Sequence, residues 1–256
     1  MTVYGFPIVY DCHDFLPGFD NVSRDIVARE HALFESADLI AFSAQLLMDR
    51  MLAARPSARA KSVLIGNAVD HAHFTSPAGR DRNTDRVAGY AGSLDHWFDV
   101  AAISTAARKY PAWKFLLIGR IEDERIRTLA DLPNVEFAGE VPYSELPHHL
   151  ARFDVGLIPF LRNELTRGVN PIKLYEYFSL GLPVVSTRLP EVEQYREVVY
   201  FADGPEAFSA ALGQAMEEAD PARRQRRMEI ARRESWTARA HELLAALQST
   251  PRKTAR

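Results

Sequence analysis

Short apolar runs recur along the chain at residues 7–10, 39–42, 62–65, 87–91, 115–118, 135–137, 155–158, 184–186 and 198–201. Each has the length of one strand and is apolar throughout instead of alternating, the pattern of a strand buried on both faces. Between most of them lie stretches with helical spacing, such as 22–35, 98–110, 144–152, 172–180 and 205–218. Strand and helix in alternation predict an α/β fold, a parallel sheet with helices on both faces. Residues 71–86, HAHFTSPAGRDRNTDR, are polar, contain Pro and Gly and lack periodicity, so a linker is expected over 69–86. About three runs precede it and about six follow, and a doubly wound domain takes five or six strands. Residues 87–233 therefore read as a whole lobe and residues 1–68 as a partial one. A last helix and tail are expected over 234–256, with an apolar stripe of Trp236, Leu243, Leu244 and Leu247 that packs back on the protein.

Composition narrows the function classes. The 256 residues are 47% hydrophobic and 25% charged, the balance of a soluble globular protein, and the net charge of −3 carries no bias toward nucleic acid. An arginine-rich stretch (Arg223, Arg224, Arg226, Arg227, Arg232 and Arg233) lacks a clear apolar face. It reads as a solvated helix, leaving membrane contact at most peripheral. The single cysteine, Cys12, excludes an intrachain disulfide and a thiolate zinc cluster, which suits a cytoplasmic location. The first residues show no basic region or apolar core of a signal peptide, and no segment approaches the roughly 20 apolar residues of a membrane span. His148 and His149 lack a third ligand at metal spacing, so neither a metal nor a cofactor is expected.

The chemistry concentrates in residues 169–189, VNPIKLYEYFSLGLPVVSTRL. Asn170 followed by Pro171 predicts a helix start, with Asn as cap and Pro at the first helical position. The exposed amides and positive dipole end there seat a diphosphate. Lys173 and Glu176 follow three residues apart on one face. The lysine can offset charge on a leaving diphosphate, and the carboxylate can grip ribose hydroxyls. The same pair on an ordinary helix is a surface salt bridge. Its position at the mouth of a parallel sheet, where such sheets bind ligands, favours the functional reading.

The segment PIKLYEYFSLGLPVVST resembles the signature helix of the retaining GT-B glycosyltransferases, family 4 type. ADLIAFSAQLL with VLIGNAVDHAHF, GYAGSLDHWFDV, and FLLIGR with VEFAGEVPYSELPHHLARFDVGLIPF follow in the order and spacing of that family. The resemblance implies Rossmann-like parallel sheets of the GT-B architecture, with a complete C-terminal lobe and a truncated N-terminal lobe. It implies a UDP- or GDP-sugar donor, a hydroxyl acceptor and hexose transfer with retention in polysaccharide or glycoconjugate synthesis. By the same resemblance Glu176 binds ribose and Lys173 the diphosphate or sugar, while the backbone around Asn170, Pro171 and Ile172 lines the phosphate site. Gly119, Arg120 and Val141 flank the base, Gly92 lets the backbone approach the ligand, and His13 faces the transferred sugar.

Two positions depart from that family. Its first glutamate, eight residues before Glu176, is replaced by Gly168, with Glu164 as the nearby substitute. The arginine and lysine after the first strand of the second lobe are absent from GSLDHWFD, which leaves Lys173, Arg120 and Arg167 to neutralise the diphosphate. A second reading is a non-catalytic nucleotide-sugar-binding module, or one subunit of a split glycosyltransferase, with a homodimer or partner chain completing the first lobe. A dinucleotide-dependent dehydrogenase shares the sheet type, but Gly89-Tyr-Ala-Gly92 lacks the glycine pattern it needs.

Overall fold

The computed structural model describes residues 6–19, 22–75 and 85–250. The nine apolar runs are its nine described strands, gathered in two parallel sheets. The first sheet has the order β1 (Val9–Cys12), β2 (Leu39–Phe42) and β3 (Ser62–Leu64), connected by α1 (Arg24–Ser36) and α2 (Gln45–Ala54). Strand β1 starts two residues later than the apolar run, because the Ile8 amide donates to the Asp38 carboxylate at 2.9 Å instead of joining the ladder. One face of this sheet buries Cys12, Ile40 and Phe42 with Phe34, Leu47 and Met51.

A five-residue helix, α3 (His71–Thr75), then replaces the start of the expected linker. Phe74 explains the difference: it is fully buried against Tyr143, with ring centroids 5.8 Å apart, and Asp70 accepts the His73 amide at 3.2 Å. The remainder of that expectation, residues 76–84, lies outside the described residues.

The second sheet contains β4 (Val87–Ala91), β5 (Lys114–Ile118), β6 (Val135–Gly139), β7 (Val155–Ile158), β8 (Val184–Thr187) and β9 (Val199–Ala202). Its helices are α4 (Val100–Lys109), α5 (Leu146–Leu150), α6 (Ile172–Ser179), α7 (Pro190–Glu193) and α8 (Pro205–Met216). The strand order is β6-β5-β4-β7-β8-β9, all parallel, so the winding reverses between β4 and β7. Strands β7 and β8 are buried along their whole length, as runs without alternation should be. Asp99 caps α4 by accepting the Ala102 amide at 2.9 Å. The small residues Ala102 and Ala106 let α4 lie close along α8.

Helices α9 (Pro221–Arg233) and α10 (Trp236–Ser249) close the chain. Three of the six arginines of α9 are engaged with nearby carboxylates while partly or largely exposed: Arg223 with Glu218, Arg226 with Glu229 and Arg233 with Glu234. Arg227 is different. Fully buried, it donates to the carbonyls of Val198 (3.1 Å) and Gly181 (3.3 Å) and pairs with Glu218. Helix α10 crosses back to the first sheet, where Trp236, Ala240 and Leu243 face Val9, Ala41 and Ile65 across a groove. The expected stripe packs incompletely: Trp236 and Leu244 stay 42% and 54% exposed.

Removing a buried guanidinium leaves the buried Glu218 carboxylate and the carbonyls of Gly181 and Val198 short of a donor in the core. Arg227→Ala is therefore expected to destabilise the fold by about 3–5 kcal/mol in urea unfolding, while Arg226→Ala, on the solvated side of the same helix, stays within about 0.5 kcal/mol.

Candidate functional site

Ligands of doubly wound sheets bind beyond the carboxyl ends of the strands where the winding reverses. At that place, beyond β4, β5 and β7, two cavities adjoin. The first, of about 360 Å³, takes in Gly92, Gly119, Arg120, Val141 and Glu176. The second, of about 410 Å³, takes in His13 from the first sheet together with Trp97, Phe160, Asn170 and Pro171. Ser93, Ile172 and Lys173 border both. His13, Gly92, Gly119, Arg120, Val141, Asn170, Pro171, Ile172, Lys173 and Glu176 therefore all lie on one of two neighbouring cavities, whereas the supplementary Glu164 and Arg167 lie on neither.

Glycines make the first cavity possible. Gly92 and Gly119 follow β4 and β5 with φ of +140° and +138°. A Cβ on Gly119 would stand 2.0 Å from the Gly92 carbonyl oxygen, and one on Gly92 would stand 3.0 Å from the Lys173 side chain. The two loops are thereby held together, with the Gly92 amide donating to Ile118 at 2.9 Å and Leu94 to Arg120 at 2.9 Å.

Lys173, in the first turn of α6, sends its ammonium over two aromatic faces: Nζ lies 5.2 Å from the Tyr90 ring centroid and 4.9 Å from that of Phe160. Among the described residues no hydrogen bond or ion pair holds it. Burial pushes its pKa down to about 8, against the attraction of Glu176. Glu176 is itself buried, and burial pushes its carboxyl up to about 7, opposed by Lys173 and by His73. His73 stacks on Tyr143 at 4.5 Å, so the base of α3 and the loop after β6 back the carboxylate. These two groups are not the surface salt bridge of an ordinary helix. The pair leaves a cation between the cavities and a carboxyl inside one of them.

The capping expectation is corrected. Helix α6 begins at Ile172, Pro171 occupies the cap position, and no side chain caps the helix. Asn170 is buried one residue before the cap and spans the two sheets instead. Its Nδ2 donates to the Ser43 carbonyl at 3.2 Å, its Oδ1 accepts from the Tyr175 hydroxyl at 2.9 Å, and its own carbonyl accepts from Asn67 Nδ2 at 2.6 Å. The first-turn amides of α6 thus remain free of a side-chain acceptor.

His13 follows β1, and its Nε2 lies 2.8 Å from Asp11 Oδ2. The Asp11 hydrogen bond raises the imidazole pKa more than burial lowers it. Asp14, on the same cavity, is raised by burial. The supplementary charges behave otherwise than expected. Arg120 is paired with Glu122 at the rim, Glu164 is engaged by Arg50 at 3.0 Å, and Arg167 is exposed and borders neither cavity. Sequence reading missed Tyr90, which it counted only as part of an apolar run, missed Phe160, just beyond the run at 155–158, and missed Asn67, whose polar side chain in a short turn carries no signal of burial.

Two parallel α/β sheets enclosing this cleft define the GT-B type of architecture. The same arrangement is found in HepE of Anabaena, solved in complex with UDP-glucose (TM-score 0.76, 17% identity, 95% of this chain and 72% of that one). Sucrose-phosphate synthase of Thermosynechococcus elongatus shares it as well (TM-score 0.72, 16% identity, 95% and 67%). Residues 85–218 match the family of group 1 glycosyl transferases, and the chain belongs to that family. It is also 27% identical over 252 residues to TuaH of Bacillus subtilis (strain 168), a protein named for teichuronic acid biosynthesis; the match covers 90% of this chain and 64% of TuaH.

The glycine geometry yields a paired prediction. Gly119→Ala meets backbone at 2.0 Å as well as a disfavoured φ, and should cost about 3 kcal/mol or more in urea unfolding. Gly139→Ala, at φ +73° with nothing within 4 Å, should cost only about 1–2 kcal/mol.

Proposed function

We propose that this protein transfers a hexose from a nucleoside-diphosphate sugar to a hydroxyl acceptor. The observation that carries the reading is the Lys173 ammonium, unpaired among the described residues and standing between a cavity that contains a buried carboxyl and a cavity that contains His13. The nucleoside fits the first cavity, with ribose hydroxyls donating to Glu176 and the base between Gly119, Arg120 and Val141. The diphosphate then lies along the start of α6, where amide dipoles and Lys173 meet its charge. The sugar projects into the second cavity beside His13.

In the reaction the bond from the anomeric carbon to the diphosphate oxygen breaks, and the acceptor oxygen forms a new bond to that carbon. The acceptor proton leaves with the products, and the departing diphosphate takes the electron pair. Preorganised positive charge at the leaving group is the main catalytic contribution. His13, held by Asp11, orients the sugar or acceptor hydroxyls. Retention at the anomeric carbon rests on the likeness of α6 to the retaining branch of the family. A place in polysaccharide synthesis rests on the name of TuaH, and UDP as the donor nucleotide on the ligands named for HepE. Because groups from both sheets border one cavity, the transferase reading is favoured over that of a binding module.

Calorimetry with UDP and GDP tests the assignment. One of the two should bind, and Lys173→Ala should weaken it by about tenfold to a hundredfold, the worth of a charge-assisted contact. If neither binds the native protein better than the variant, the site is wrong. The pH dependence has a definite sign. The ammonium that meets the diphosphate is lost as pH rises through about 8, so affinity should fall by up to about tenfold per unit above that value. Lys173→Ala should show no such fall.

A further inference from the structure

The cavity beside His13 has a composition that selects among sugars. Its wall is largely apolar: Phe19, Trp97, Phe160, Leu165 and Val169 border it. Phe19, from the loop after β1, meets Trp97 edge-on at 6.1 Å and so joins the two sides of the cleft. Its ionisable groups are few. Lys173 faces both cavities and is taken by the diphosphate in the reading above. His13 is engaged by Asp11 at 2.8 Å. Those remaining are the Tyr90 phenol, which burial keeps neutral, and Asp14, a carboxyl.

No arginine borders this cavity among the described residues. Those near it in sequence point elsewhere: Arg50 to Glu164, Arg162 to Asp203 at 3.1 Å, and Arg167 to the exterior.

We propose, resting on that reading, that the transferred sugar is an uncharged pyranose, a hexose or an N-acetylhexosamine, and that the site refuses a uronate. A sugar carboxylate is planar and strongly hydrated, and sites that accept one supply a guanidinium fork or a free ammonium. Here it would shed water against aromatic walls where, among the described residues, the cations are already engaged, His13 by Asp11 and Lys173 by the diphosphate, and with Asp14 beside it. The burial that raises the Asp14 pKa shows how poorly this wall supports negative charge. A neutral pyranose loses nothing comparable. Its C–H face packs on Phe160 and Trp97, and its hydroxyls reach His13, Asp14 and Asn67.

The test is calorimetric titration of the native protein with UDP, UDP-glucose, UDP-N-acetylglucosamine and UDP-glucuronate. If GDP proves the better nucleotide, GDP-mannose and GDP-mannuronate replace the sugar donors. The neutral donors should bind at least as tightly as the free nucleotide, and the uronate donor about a hundredfold more weakly than its neutral counterpart. Asp14→Asn should narrow that ratio by about tenfold. A uronate donor that binds within about threefold of the neutral one overturns the proposal even though the nucleotide site stands. An unchanged ratio in Asp14→Asn overturns the part given to that carboxyl. Failure of both UDP and GDP to bind is a different result: it removes the nucleotide site itself, and the sugar selectivity with it.

Discussion

A buried ammonium without a carboxylate is costly, and the architecture around Lys173 is arranged to tolerate it. The π faces of Tyr90 and Phe160, at 5.2 and 4.9 Å, supply partial negative charge without neutralising the cation. The absence of a Cβ at Gly92 leaves the side chain room to lie there. Glu176, one turn further along, attracts the ammonium but does not form a close ion pair with it. The charge is therefore held in place and left available. Burial pushes the pKa down, and the opposing attraction of Glu176 is why it falls to about 8 and not further. An incoming diphosphate restores the charge balance, and the strength of that restoration is the basis of the proposed binding and leaving-group stabilisation.

Positioning that ammonium depends on the segment before α6. Asn170 is fastened to Ser43 and Asn67 on one side of the cleft and to Tyr175 on the other. Because Pro171 follows it directly, the start of the helix is fixed relative to both sheets. Another tie joins the two sides: Glu191 accepts the Gln45 amide at 2.6 Å. The proposed sugar chemistry at His13 and phosphate chemistry at Lys173 would need a set distance, which such bonds can hold. A polar residue in this segment thus works by spanning the lobes and not by capping the helix.

Much of this was legible in the sequence because parallel sheets announce themselves: strands buried on both faces cannot alternate, so β7 and β8 stand out as unbroken apolar runs. Glycine after a strand was equally readable, since Gly92 and Gly119 need a φ that few residues adopt. Three features were not legible. Phe74 turns part of a polar stretch into a helix through one buried ring, which periodicity over five residues cannot reveal. Arg227 sits among arginines that are solvated, and only the fold shows that its position faces Glu218 and two carbonyls. Asn170 carries the usual sign of a helix cap, but the competing acceptor and donor groups come from residues more than a hundred positions away, Ser43 and Asn67. Local patterns recover local hydrogen bonds; contacts between lobes have no such signature.

The most direct test of the central claim is nitrogen-detected NMR of the Lys173 side chain, titrated with pH in the presence and absence of UDP or GDP, whichever binds. The free protein should show an ammonium that titrates near pH 8, and the bound nucleotide should move that titration upward by more than one unit, roughly the worth of one charged contact. A nucleotide that binds tightly and leaves the Lys173 resonance and its titration where they were would contradict the account.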